Sequence, residues 1–425
     1  MRIAVVGMGY VGLISALTLC EIGHDVIGID INEQKILMLN NSKNPIYEPN
    51  SEYLIHQYRQ TGKINFTDNY KLISTCDAVY ICVNAELNDN FGFSYEELGT
   101  AVKSASPFLQ EQSPLIIRTT VEPGTCEVLF NYLSKQLPFN KLRLIYLPEF
   151  SKEGEAIENS LKPERIVVGC LSNEDADFIH SIYGKICDNI LSTDWVSAEL
   201  IKLSANNFIA LKISYINTIA RLADSLGANI DDVSLALALD SRIGKGALGA
   251  GIGWGGSCLP KDALAFNKIL EDNEIDNRLI SNSININDSQ IVYLVNKMEK
   301  VMNGLKGKEI AVLGLTFKAN TDDIRNSKSI DLIKYLTMKG AFVKYYDPIR
   351  NDKIPGLKGD HLVDIDKALA YSQAIVVATE WKDFINMNWE DVKNLMDGKL
   401  VVDARNCLNK YDVESVGLTY LGIGR

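Results

Sequence analysis

Arg2-Ile-Ala-Val-Val-Gly7-Met-Gly9-Tyr10-Val11-Gly12 decides the fold. A short apolar run that ends in glycine reads as a buried parallel strand. The glycines then fall at G-x-G-x-x-G spacing, and Leu13 to Ile22 continues with helical periodicity. In a dinucleotide-binding turn the first glycine makes the bend, the second admits the pyrophosphate and the third lets helix and strand pack closely. The glycines alone are weak evidence. A second strand, Asp25 to Asp30, strengthens them, because its last residue lies eighteen positions after Gly12. A carboxylate there accepts hydrogen bonds from ribose hydroxyls and repels a 2′-phosphate, which favours NAD over NADP. The alternative reading of Asp30 is a turn or cap residue.

Further α/β units follow outward from that start. Ala78–Val83, Leu115–Arg118, Leu142–Leu147 and Ile166–Gly169 read as strands with helical stretches between them. The opening pattern recurs at Ile310-Ala-Val-Leu-Gly314, and Phe342–Asp347 echoes the strand ending at Asp30. In this second copy Thr316 and Ala319 stand where the later glycines would be, so a Rossmann-like fold that no longer holds a dinucleotide is expected. Between the copies, Asp194 to Gly227 carries a long helical pattern, apolar on more than one face, as for a helix buried between domains or in a dimer interface. Lys202 and Asn206 are its polar exceptions. A second helical region is expected from about Ala263 to Gly304. The fold class is α/β, with two doubly wound domains joined by a long central helix and a helical middle domain. The expected divisions are 1–192, 193–304 and 305–425.

Composition limits the function. A net charge of −11 argues against nucleic acid or an anionic membrane as partner. Eight scattered cysteines without a CxxC pair, and only four histidines, point to a reducing cytoplasm and no metal site. Ile3 to Cys20 is uncharged, but its three phosphate-loop glycines and the Leu19 before Cys20 argue against an export signal.

The chemistry concentrates in Gly246–Asp262, GALGAGIGWGGSCLPKD, with six glycines before a cysteine. Glycines let backbone amides approach a ligand. Pro260 suits a first helical turn, placing Cys258 near a positively polarised helix start and beside Lys261. Such a thiol is a candidate nucleophile; a buried structural cysteine is the plain alternative. Gly253-Trp-Gly255-Gly-Ser-Cys258-Leu-Pro-Lys261-Asp262 resembles the active-site signature of the UDP-glucose/GDP-mannose dehydrogenases, and the resemblance extends over essentially the whole chain.

The resemblance implies an NAD-dependent, two-step oxidation of a nucleotide sugar from alcohol to carboxylate. Cys258 would hold the carbon as a thiohemiacetal and then a thioester, which water hydrolyses. Lys202 and Asn206 would stabilise negative charge on the reacting oxygen; Asp262 and Thr120 would position water. Thr119-Thr120-Val-Glu-Pro-Gly124-Thr125 resembles a family segment with Thr for its first Ser. Glu149 and Glu153 would be active-site carboxylates, with Glu153 a candidate base; four apart, they share a side in any helical turn. Solvated turn glutamates are the ordinary reading, as a snorkelling lysine is for Lys202. Gly7, Gly9, Tyr10, Val11, Gly12, Asp30, Lys35, Thr120, Glu153, Lys261 and Arg325 would contact NAD. Glu149, Phe150, Lys202, Asn206, Arg242, Gly255 and Lys318 would contact the sugar nucleotide, Arg242 across a homodimer interface. Lys318 and Arg325 would offer charge to the diphosphate, and are otherwise surface residues. Lys162-Pro-Glu-Arg165 matches a segment beside the sugar nucleotide. Asn84-Ala-Glu-Leu departs from the family, which has a proline-containing turn there.

Within the family, Glu149-Phe-Ser-Lys-Glu153-Gly is similar to the branch acting on UDP-glucose, making a precursor for capsule or other polysaccharide. The alternatives are another nucleotide sugar, such as a UDP-N-acetyl-hexosamine or GDP-mannose, and a non-catalytic nucleotide-sugar-binding regulator.

Overall fold

The computed structural model describes residues 1–138 and 142–425, and the chain divides into two compact units, Met1–Ala205 and Asn206–Arg425.

The first unit is built on eight strands: β1 (Arg2–Val6), β2 (Asp25–Ile29), β3 (Ile64–Thr67), β4 (Ala78–Ile81), β7 (Leu115–Ile117), β8 (Leu144–Tyr146), β9 (Ile166–Gly169) and β10 (Ile190–Thr193). A two-stranded hairpin, β5 (Glu86–Leu87) with β6 (Phe93–Ser94), follows β4 outside the sheet. The sheet order is β10-β9-β8-β7-β4-β1-β2-β3, parallel except for the single antiparallel pairing of Tyr146 with Gly169. Order 3-2-1-4, running in from the β3 edge, is that of a doubly wound nucleotide fold, with the crevice beside β1 and β4. Side chains alternate across β1. Ile3 and Val5 pack with Leu13 and Leu17 of the helix Tyr10–Glu21, and Ala4 and Val6 with Val79 and Ile117 on the other face. A sheet covered on both faces explains why its strands read as continuous apolar runs.

The second unit holds six strands, β11 (Glu309–Leu313), β12 (Phe342–Tyr346), β13 (Asp360–His361), β14 (Ala374–Val377), β15 (Leu400–Asp403) and β16 (Thr419–Leu421), in the order β13-β12-β11-β14-β15-β16. Every pairing is parallel. Ile310 and Val312 face a core containing Ile216, Ala220 and Leu294 from helices, whereas Ala311 and Leu313 face Phe384 and Trp389.

The long helix is Trp195–Leu226, about 48 Å at 1.5 Å per residue. Asp194 caps it, its carboxylate accepting from Ser197 N at 2.8 Å. The second helical region is two helices, Leu259–Asp272 and Arg278–Met302. The break falls where Glu274 adopts φ 57°, a left-handed residue that neither glycine nor proline announces in the sequence. No helix among the described residues is long and apolar enough to cross a membrane.

Candidate functional site

In the first unit the glycine turn is forced by space. Gly7 sits at φ +91°, and a Cβ on it would lie 2.8 Å from the carbonyl oxygen of Cys82 at the end of β4. A Cβ on Gly12 would lie 1.7 Å from the carbonyl oxygen of Gly7, so nothing larger lets the helix meet the strand. A Cβ on Gly9 would come within 4 Å of nothing among the described residues beyond its own neighbours and helix except the Asn84 side-chain oxygen, at 3.9 Å, so its backbone is open to a ligand. Gly9 is the N-cap of the helix Tyr10–Glu21, where no side chain caps the end and no acidic residue lies in the first turn. An uncapped, carboxylate-free helix start favours an anion. Asp30, 7% exposed, accepts from Met8 N at 2.7 Å, Asn32 N at 2.9 Å and Lys35 Nζ at 2.8 Å. It is therefore a turn residue as well as the acid at the end of β2, and Lys35 is its ion-pair partner. These residues fit a dinucleotide: a cradle that any Cβ would fill, a free helix start and a carboxylate at the ribose position.

Beyond the ends of β7 and β8 lies a charged cluster. Arg118 is buried and ion-pairs with the Glu149 carboxylate, which also accepts from Phe150 N at 2.9 Å and Ser151 N at 2.7 Å. Burial pushes the Glu149 carboxyl up, but Arg118 and the Ser151 amide outweigh that and hold it below the usual glutamate value. Lys202 is 7% exposed and donates to the Glu149 carbonyl oxygen, so the snorkelling alternative is overturned. The Phe150 ring lies under Arg165 at 4.4 Å and Lys202 at 5.2 Å. Residues 148–155 form no helix, so the condition under which Glu149 and Glu153 would share a side is not met. Gly154 at φ +81° turns the chain there, and the next helix starts only at Ala156. Thr119 donates to Val83 O at 2.9 Å, while its neighbour Thr120 is part-exposed. Asn84, where the sequence departs from the family, donates its amide N–H to the Glu97 carboxylate at 3.2 Å and leads into the β5–β6 hairpin.

Three residues of this unit escaped the sequence reading. Arg118 reads as a strand-end charge, with no sign that its partner lies 31 residues on. Glu199, fully buried on the long helix, accepts from Gly124 N at 2.6 Å and Cys126 N at 2.8 Å, capping the helix Thr125–Gln136 that follows the Thr120 segment. Glu48, in the irregular Asn44–Asn50 stretch, carries no periodic signal at all.

In the second unit Cys258 is the N-cap of the helix Leu259–Asp272, with Pro260 in the first turn. Its thiol is exposed, with Ser257 Oγ 3.6 Å away. The buried-cysteine reading fits other thiols: burial raises Cys20 and Cys82 to about 12, which keeps them protonated and inert. Cys258 alone among the described cysteines combines exposure with a helix start, where the macrodipole favours a thiolate. Asp262, 1% exposed, accepts from Lys261 Nζ at 2.7 Å and Asn206 Nδ2 at 2.6 Å.

The glycine loop is packed, which alters the expected purpose of its glycines. A Cβ on Gly253 would lie 2.3 Å from Asn287 Oδ1, and one on Gly255 2.3 Å from the Asn326 carbonyl oxygen. Asn287 brackets Trp254, accepting from its amide at 2.7 Å and donating to its carbonyl at 3.0 Å, and Gly251 is held by Asn217 and Gln290 at 2.8 Å each. Close approach within the unit, more than approach to a ligand, dictates glycine at 253 and 255. Lys318 is part-buried, Arg325 pairs with Asp323 at 2.7 Å, and Arg242 is 87% exposed and pairs with Asp240 at 2.6 Å.

An NAD seat built from glycines and an acid, in a chain that also carries a second nucleotide fold without such a seat, defines an NAD-binding dehydrogenase class. Family models make this specific. The NAD binding domain of the UDP-glucose/GDP-mannose dehydrogenase family matches residues 1–187, its central domain 196–289 and its UDP binding domain 311–410. The chain belongs to that family, and NAD is its cofactor. A UDP-glucose 6-dehydrogenase of Rickettsia bellii is 37% identical over 434 residues, covering 100% of this chain and 99% of its own. Among solved structures, a UDP-glucose dehydrogenase from Pyrobaculum islandicum superposes with TM-score 0.91 at 30% identity, over 100% of this chain and 97% of that one. A UDP-D-ManNAc dehydrogenase from Pyrococcus horikoshii gives 0.87 at 28%, over 100% and 99%.

Proposed function

We propose that the chain oxidises the C6 alcohol of UDP-glucose to the carboxylate, yielding UDP-glucuronate for capsule or another polysaccharide. The observation that carries this is the exposed Cys258 thiol at a helix N-cap whose first turn holds the buried Asp262, paired with part-buried Asn206 and Lys261. NAD, when bound, supplies the acceptor for the hydride lost in each of two oxidations. Gly7, Gly9, Tyr10, Val11, Gly12, Asp30 and Lys35 hold it, with Thr120, Glu153, Lys261 and Arg325 contributing contacts.

Cys258 Sγ adds to the C6 aldehyde carbon as a thiohemiacetal, and the second oxidation leaves that carbon as a thioester. Water then cleaves the carbon–sulfur bond, releasing the acid and the thiol. Lys202 and Asn206 donate to the oxygen on which negative charge develops, typically about 3 kcal/mol for each such donor. Asp262 and Thr120 position the water, with Glu153 as base. Glu149, its carboxylate engaged by Arg118 and two amides, anchors rather than transfers protons, and its carbonyl aims Lys202. Phe150, Gly255, Lys318 and Arg242 complete the sugar-nucleotide contacts.

The same reading divides the chain at 1–192, 193–304 and 305–425 and pairs two copies through the central helix. In support, Phe208, Tyr215 and Leu222 recur every seven residues and are 62%, 53% and 52% exposed. Eight free cysteines accord with a cytoplasmic site.

Titrating UDP-glucose, UDP-N-acetylmannosamine and GDP-mannose while following NADH tests the substrate: UDP-glucose should give the highest kcat/KM, and a higher value for either rival overturns the choice. Cys258→Ala should lose uronate formation by at least a thousandfold; a wild-type rate removes the covalent step.

A further inference from the structure

Residues 148–155 carry Glu149 and Glu153 without regular secondary structure, so their main chain has to be fixed by other groups. At one end Glu149 does this itself, taking the amides of Phe150 and Ser151. At the other end the anchor comes from far away in sequence. Glu48, 5% exposed, takes the Gly154 amide on one carboxylate oxygen and the Ala156 amide on the other, both at 2.6 Å. The oxygen that takes Gly154 also receives the hydroxyl of Tyr10, and that hydroxyl accepts from Gly154 N at 2.9 Å. Carboxylate, phenol and amide thus close a triangle. Tyr10 is the first residue of the helix whose start forms the NAD seat.

The chemistry requires a carboxylate. Two N–H groups and one O–H point at Glu48, and only an ionised acid accepts from all three without presenting a donor of its own. The stretch bearing Glu48 is itself braced, with Ser51 Oγ donating to the Glu48 carbonyl at 2.6 Å and Asn44 Oδ1 accepting from Ile46 N at 3.1 Å.

We propose that Glu48 is a positioning residue that ties the Glu149–Glu153 segment to the start of the NAD-binding helix through Gly154, Ala156 and Tyr10. Its effect on turnover rests on the reading of that segment as part of the reaction machinery; its effect on NAD does not. In Glu48→Gln one oxygen becomes an NH2 that faces an amide donor, so the tie is broken while size is kept.

The test is calorimetric titration of NAD into the full chain without sugar, followed by steady-state kinetics with UDP-glucose. Glu48→Gln should raise the NAD dissociation constant roughly tenfold and lower kcat by a similar factor, the scale of losing charge-assisted hydrogen bonds. Tyr10→Phe should weaken NAD binding by a smaller factor, and the double variant should be no weaker than Glu48→Gln alone. A folded Glu48→Gln with wild-type NAD affinity and kcat, or one that only melts earlier, overturns the proposal, as does additivity of the two substitutions. If Glu48→Gln does not fold, Tyr10→Phe decides: unchanged NAD affinity overturns the tie. A wild-type chain that ignores UDP-glucose would break the substrate reading and leave the NAD arm standing.

Discussion

The two sheets begin alike and diverge within a few residues. At each first strand end a glycine takes positive φ, +91° at Gly7 and +99° at Gly314, because the end of the fourth strand comes too close for a Cβ. Each next amide donates to an acid at the end of the second strand: Met8 N to Asp30 at 2.7 Å, Leu315 N to Asp347 at 2.8 Å. So the first glycine and the acid are parts of the turn and do not by themselves mean a dinucleotide. The difference comes afterwards. The first copy enters its helix at Tyr10; the second runs through Phe317–Ser327 before its helix starts at Lys328. Thr316, fully buried, has its carbonyl taken by Thr379 Oγ1 at 2.9 Å, where Gly9 leaves open space. What makes a dinucleotide seat is the pair Gly9 and Gly12 with an immediate helix.

The sharpest way to break this contrast is Gly12→Ala. A Cβ 1.7 Å from the Gly7 carbonyl pushes the helix off the strand, and NAD affinity measured by calorimetry should fall on the order of a hundredfold. Ala319→Gly, its counterpart, should leave binding at one NAD per chain; a second NAD would show that the extra segment is not what removed the seat.

Next in size is a matched pair. Asp30→Ala should cost about tenfold in NAD affinity and shift preference toward NADP. Asp347→Ala should leave NAD affinity as it was and lower unfolding free energy by about 2 kcal/mol, since Asp347, 1% exposed, holds the amides of Leu315, Ile349 and Arg350. Equal effects on NAD would erase the distinction between the copies.

Smallest in its effect on the comparison is acid. The Glu149 carboxyl is held below its ordinary value of 4.5, so its contribution is present above that pH and is lost as pH falls through the lower folded value. Glu149→Gln leaves Arg118 buried without its partner and should destabilise the chain by about 3 kcal/mol near neutrality. Denaturant melts should show the gap closing as pH falls below 4.5 and through the lower folded value; a constant gap would mean that the pair contributes nothing through its charge.

Much of the frame is legible in the sequence because each part has a local cause. Gly7, Gly9 and Gly12 fall at a readable spacing within six residues, Gly12 because the Gly7 carbonyl leaves it no room for a Cβ, and the apolar runs at Arg2–Val6 and Glu309–Leu313 answer burial on both faces. Cys258 announces its position through Pro260. The remainder depends on contacts between distant residues. Arg118 meets Glu149, Glu48 meets Gly154, and Glu199 meets Gly124 across separations of 31, 106 and 75 residues, and a pair of that kind leaves no period or spacing to read. The glycines before Cys258 could be seen, but not their reason: Asn287 and Asn326 occupy the space a side chain would need.

The contrast among the cysteines reaches beyond the proposed reaction. With Cys20 and Cys82 raised to about 12 and Cys126 fully buried, hydrogen peroxide or an alkylating electrophile meets Cys258 first. Sensitivity to oxidative damage and selectivity for a covalent inhibitor are therefore the same property, set by one sulfur at the mouth of one helix.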